Sequence, residues 1–158
     1  MRREATAFDG LHSAYLYGSI PRGDAVPGVS DLDVLLALHH APTDADRATA
    51  RAMEARLDAA YPQIDGAGVL LFGTGMLLSE LERYDMGWFL ACLCTPVWGP
   101  DLGGRLPRYR PDSLLARETN GDLALALPGW GWGHPLLERS RELGGGWTPR
   151  PPTRSSAP

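Results

Sequence analysis

Gly18-Ser19 and the string Ser30-Asp31-Leu32-Asp33, which begins eleven residues after Ser19, are the residues whose types and spacing could do chemistry. In an extended strand successive side chains alternate faces. Asp31 and Asp33 therefore share one face, with their Cα atoms about 6.6 Å apart, while Leu32 and Val34 take the other. Two carboxylates on one face can share hard divalent cations. Magnesium keeps several waters and is held by one or two carboxylates together with the phosphates of a substrate, which is what this pair offers. Two such ions about 3.5–4 Å apart stabilise the attacking and leaving oxygens of an in-line displacement. Gly18 lacks a Cβ and so lets backbone approach a phosphate closely. Ser19 adds a hydroxyl and a backbone N–H near a helix start, where anions are favoured. Arg22 can offset charge on the β- and γ-phosphates. Taken singly, each group has a plain reading: a solvated turn for Asp-x-Asp, a turn for Gly-Ser, a surface charge for the arginine. Their order and spacing together point to metal-assisted phosphate chemistry.

Two strands must position these groups. Residues 14–17 read as a first strand ending in Gly-Ser, Arg22-Gly23 as part of a short turn or helix, and residues 31–38 as a second strand. Apolar Leu16, Tyr17, Leu32, Val34, Leu35 and Leu36 flank the two motifs. An apolar strand, Gly-Ser, roughly ten intervening residues and then Asp-x-Asp resembles the signature of the nucleotidyltransferase superfamily. That superfamily contains DNA polymerase beta, the minimal nucleotidyltransferases and the aminoglycoside nucleotidyltransferases. The resemblance covers residues 14 to about 125 and looks closest to the aminoglycoside adenylyltransferase-like members. It implies an α/β (α+β) core: a mixed, twisted sheet with helices largely on one face and the metal site on the other. It also implies transfer of a nucleoside monophosphate, AMP from ATP with magnesium, to a hydroxyl or amine acceptor. In that scheme Asp31 and Asp33 hold metal, and Gly18, Ser19, Arg22 and Ser30 position the triphosphate. A third carboxylate, acting as metal ligand or as base, commonly sits on the third strand of such enzymes, and Asp65 is the candidate. The place directly before the apolar run is held by Gly68, three residues on, so a regular strand would turn the two to opposite faces. Either a bulge near Gly66 to Gly68 turns Asp65 inward, or the third carboxylate is missing.

The remaining elements follow from periodicity. Thr43-x-x-Asp46 reads as a capping box with Asp in place of Glu, and Ala45, Ala48, Ala52, Met53, Leu57 and Ala60 recur at helical spacing. Tyr61-Pro62 closes that helix, and Ile64 to Phe72 reads as a third strand. His39 and His40 are expected to cap the second strand at the surface. Residues 76–84 read as a helix with Glu80 and Glu82 solvated, and Trp88 to Val97 as apolar and β-leaning. Trp98 to Leu102 reads as a turn. Asp112 or Ser113 is expected to start a helix lined by Leu114, Leu115, Leu123 and Leu127. A nucleotidyltransferase domain over 1–127 is thus expected, with core motif 14–102 and a helical segment 103–127. Residues 128–158, rich in Gly, Pro and Trp, are expected to form a flexible tail. Trp130 and Trp132 there could act as a stacking platform or as part of a plain extension.

A chain of 158 residues, 44% hydrophobic and 22% charged, has the length and composition of one soluble globular domain. Its net charge of −4 argues against tracking a nucleic-acid backbone. No window has the 18 or more apolar residues that span a bilayer, and the N-terminus lacks a secretory pattern, so a cytoplasmic protein is expected. Cys92 and Cys94 read as reduced thiols, because neighbours two apart on a strand do not bridge. Donor and acceptor define the partners: a nucleoside triphosphate, and a small molecule such as an aminoglycoside. Two alternatives accompany this reading. One is an antitoxin-type minimal nucleotidyltransferase that AMPylates a protein partner; the other is a catalytically silent remnant of the fold.

Overall fold

The computed structural model describes residues 7–119. The order of elements is β1 (Leu11–Tyr17), α1 (Ser19–Arg22), β2 (Leu32–Leu38), α2 (Asp44–Ala60), β3 (Ala67–Gly73), α3 (Thr74–Leu77), α4 (Met86–Leu93), β4 (Thr95–Trp98), a 3-10 turn (Gly103–Arg105) and α5 (Ser113–Glu118). The four strands form one mixed sheet in the order β3-β2-β1-β4. β1 runs antiparallel to β2 and β4, and β2 runs parallel to β3. A parallel pair needs a crossover, and α2 supplies it.

β2 lies inside the sheet with both faces covered, which accounts for its almost unbroken apolar run. Val34, Leu36 and Leu38 face a cluster with Ala50, Met53 and Leu57 of α2. Leu35 and Ala37 join Tyr15, Leu77, Leu90 and Leu102 in a second cluster. The principal helix therefore packs on one face, and the short α3 and α4 cover the other, burying Leu77 and Leu90 with Met86 and Phe89 packed beside them. Asp33 shares the parity of Leu35 and Ala37, so it belongs to the face away from α2.

The expected capping box is present. Asp46 N–H donates to Thr43 Oγ1 at 3.2 Å, and Thr43 N–H donates to Asp46 Oδ2 at 2.8 Å. Glu54, on the same helix, accepts the N–H of Val69 at 2.9 Å and so covers part of the outer edge of β3. Asp112 caps α5 by accepting from Leu115 N–H at 2.9 Å.

Three expectations are corrected. The helix expected over 76–84 is a single turn, α3, because Leu77 turns into the core and Ser79 and Glu82 hydrogen-bond in successive turns instead of continuing it. The β-leaning run from Trp88 to Val97 divides into α4 and β4. Gly87 packs there against the Glu82 carbonyl, Leu106 and Tyr109, where a larger residue would crowd, and Leu90 is buried. A short apolar run fits a buried helix as well as a buried strand, so tertiary packing decided between them. Cys92 accordingly lies in a helix and Cys94 at its end, not side by side on a strand, and both thiols are free. The third strand begins at Ala67 instead of Ile64. Leu123, Leu127, Trp130 and Trp132 lie outside the described residues.

Candidate functional site

β1 ends where the site begins. Tyr17 is the cross-strand partner of Asp33 in the antiparallel β1–β2 pair. Gly18 follows with φ 78° and ψ −151°, a backbone essentially confined to glycine, and starts the turn of α1. A Cβ at Gly18 would collide with Asp33 Oδ2. On the other side of Asp33 stands Gly68, its level partner on β3, where a Cβ would lie 3.6 Å from Oδ1. The Asp33 carboxylate thus sits between two positions without side chains. Ser19, at the first position of α1, is half-buried beside this gap, and its carbonyl accepts from Asp24 N–H at 3.1 Å.

Asp31 precedes β2 and is exposed, while Asp33 is half-buried. The charge of Asp31, two residues before it in the chain, bears on the Asp33 carboxyl. Burial, followed by the charge of Asp31, raises the Asp33 carboxyl above the usual carboxylate range, and the Tyr17 hydroxyl acts in the opposite direction. Tyr17 itself is pushed up to about 12 by burial and by the Asp33 charge. Its ring meets Phe89 of α4 edge-on, with centroids 5.1 Å apart.

The other candidate residues lie apart from this pair. Arg22 is exposed and pairs with Asp24 at 3.4 Å instead of turning to the carboxylates. Ser30 Oγ accepts from Val26 N–H at 2.9 Å, closing the loop before β2. Asp65 is exposed, and its N–H donates to the Ser30 carbonyl at 3.0 Å, which sets it level with Ser30 and not with Asp31 or Asp33. Carrying the pleat back from Gly68 gives Asp65 the opposite parity to Asp33. Among the described residues no group of three or more His, Cys, Asp or Glu is placed to hold a metal ion.

Magnesium fits the donor set as a two-carboxylate site. Asp31 and Asp33 offer hard oxygens, their mutual repulsion would be relieved by a cation, and the missing side chains at Gly18 and Gly68 make room for the Asp33 carboxylate between the two strands. The remaining ligands of such a site would come from water and substrate phosphate. In the sequence Tyr17 counted only among the apolar residues flanking the motif, and Gly68 only as the holder of the place where a third carboxylate is expected. The antiparallel register of β1 and β2 sets Tyr17 directly opposite Asp33, and the parallel register of β2 and β3 sets Gly68 on its other side.

Neither a protein-family model nor a curated protein matches the chain. Solved structures do resemble it at low similarity. A toxin-antitoxin crystal structure with AMP-PNP is 14% identical, covering 87% of this chain and 86% of its own, with a TM-score of 0.41. A tri-AMPylated Shewanella oneidensis HEPN toxin in complex with MNT antitoxin is 15% identical over 89% of each chain, with a TM-score of 0.39. A toxin-antitoxin MntA-HpeT mutant is 11% identical over 86% of this chain and 90% of its own, also at 0.39. At such scores the assignment of function falls to the side chains of this protein.

Proposed function

We propose that this protein is a metal-dependent nucleotidyltransferase that moves AMP from ATP to a hydroxyl or amine. The observation that carries the reading is the Asp31–Asp33 carboxylate pair set against side-chain-free Gly18. Asp31 and Asp33 would hold magnesium. When bound, it would neutralise phosphate oxygens and stabilise charge on the entering and leaving oxygens. Gly18 admits the triphosphate close to backbone, and the Ser19 hydroxyl and N–H give it polar contacts. Arg22 reaches the phosphates by exchanging its exposed partner Asp24 for them, a cheap exchange because surface ion pairs are worth little. Ser30 steadies the loop that carries Asp31 through its bond to Val26.

In the transfer, the acceptor oxygen or nitrogen forms a bond to the α-phosphorus and the bond from that phosphorus to the bridging oxygen breaks. Pyrophosphate leaves, and the acceptor gives up a proton. Asp65 serves as the base for that proton only if the Asp65-Gly66 turn rotates its side chain toward the pair. The acceptor is a small molecule, such as an aminoglycoside, or a protein side chain that becomes AMPylated.

A second reading is favoured by the lack of a third carboxylate beside the pair among the described residues. It is a fold that keeps the motif without turnover. Titrating ATP and GTP with and without magnesium, on the intact chain and on Asp31→Ala plus Asp33→Ala, separates the two. The enzyme reading expects magnesium-dependent ATP binding that the double change weakens at least about ten-fold. Binding that survives the double change removes the proposed site. Absence of any nucleotide binding favours the silent fold. Labelled transfer to candidate acceptors then identifies the substrate.

A further inference from the structure

We propose that Tyr17 is a positioning residue for the cation-binding pair: its hydroxyl donates to Asp33 and holds that carboxylate turned toward Asp31, so that both present one preformed face to a divalent cation. This inference rests on the two-carboxylate reading above and assigns a role to a residue outside the Gly-Ser and Asp-x-Asp motifs. Three observations carry it. Tyr17 and Asp33 are direct partners across antiparallel strands, an arrangement that brings their Cβ atoms to about 4.5–5.5 Å. Directly opposed residues share a face of the sheet, and Tyr17 packs there against the cluster of Tyr15 and Leu35, so its side chain stands on the same face as the Asp33 carboxylate. The ring is fixed from behind by its edge-on contact with Phe89, so the hydroxyl is held in place by the packing of α4 on the sheet.

The physical need for such a donor follows from the surroundings of Asp33. Its flanks at Gly18 and Gly68 carry no side chain to hold the carboxylate, and Asp31 repels it when both are ionised. A carboxylate has two oxygens that can accept. One occupied by the tyrosine O–H leaves the other defined for the cation. Outer groups that orient ligands in this way typically contribute about 10–100-fold to metal affinity.

The test uses Mn2+ as the probe, with affinity measured by calorimetry and by electron paramagnetic resonance on the wild-type chain, Tyr17→Phe, and Asp31→Ala plus Asp33→Ala. Tyr17→Phe keeps the ring and its contact with Phe89, so its melting temperature should match the wild type while Mn2+ affinity falls about ten-fold. A second measurement needs no variant. With 3-fluorotyrosine at all five tyrosines, one 19F resonance should broaden ahead of the rest at substoichiometric Mn2+. Wild-type uptake that the double change abolishes, together with affinity in Tyr17→Phe within about two-fold of wild type, overturns the role of Tyr17 and leaves the site standing. Uniform broadening of all five resonances also overturns it. No Mn2+ uptake by the wild type, or uptake untouched by the double change, overturns the two-carboxylate site and this inference with it.

Discussion

At the scale of the residue, the charge on Asp33 is the quantity that matters. Burial, and then Asp31, raise its carboxyl in the folded chain. The sign follows from linkage: the contribution to stability is fully present below the unfolded value of 3.8 and is lost as pH rises through the raised folded value. At neutral pH the ionised group therefore opposes folding. Asp33→Asn should raise the melting temperature at pH 7 by about 2–4 °C, less at pH 4, as read by scanning calorimetry at several pH values. Added magnesium should raise the wild-type value and leave the variant unchanged. Gly18 gives the complementary prediction. Gly18→Ala puts a Cβ on a backbone of φ 78° and ψ −151°, a region essentially confined to glycine, and drives it into Asp33 Oδ2, so it should cost about 1–3 kcal/mol from the backbone alone and weaken Mn2+ binding as well. Chemical denaturation and metal titration of the same variant read both effects.

At the scale of the element, α2 owes its start to a reciprocal pair of hydrogen bonds and its position to three apolar residues on one stripe. Thr43→Ala removes one half of the capping box and should destabilise the fold by about 1 kcal/mol in urea denaturation. Asp46 is lowered by its bonds from Thr43, first the side chain and then the backbone. Its contribution is present above the unfolded value of 3.8 and fades as pH falls through the lowered folded value. Asp46→Asn should accordingly flatten the loss of stability on acidification below about pH 4, in denaturation curves compared with the wild type. This helix was legible because Thr43-x-x-Asp46 and the apolar spacing agree. The start of α4 was not, since Met86 to Leu93 carries no cap bond at Asp85 and its apolar character suits either structure. Packing of Gly87 and Leu90 made the choice.

At the scale of the described domain, residues after β4 are tied back to the sheet by a buried phenol. Leu102 N–H donates to the Tyr15 hydroxyl at 2.7 Å, and that hydroxyl donates to Asp101 Oδ1 at 3.3 Å. Tyr15 and Leu102 are both buried in the cluster that also takes Leu35, Ala37 and Leu90. Tyr15→Phe strands a buried N–H and should cost about 1–3 kcal/mol in denaturant unfolding. Hydrogen exchange should show the greatest loss of protection at Leu102 and its neighbours. Because the same face carries Asp33 and Tyr17, the loosening should extend to the site only as far as α4 transmits it. Among the described residues no helix is long and apolar enough to cross a membrane.

Sequence alone determined what depends on local chemistry. Gly18-Ser19 marks the end of β1 and Asp31-x-Asp33 the entry to β2, because turn-forming and charged residues interrupt apolar runs at those points. The capping box set the start of α2, and Tyr61-Pro62 its end. Alternation also fixed which face of β2 the carboxylates share with Leu35 and Ala37. Tertiary structure decided what depends on register between distant segments. The antiparallel pairing set Tyr17 opposite Asp33, and the parallel pairing set Gly68 beside it while leaving Asp65 level with Ser30. A one-residue change in either register would exchange the faces, and no single segment encodes that pairing. The carboxylate pair is therefore written in the sequence, whereas the groups that surround it are set by how the strands meet.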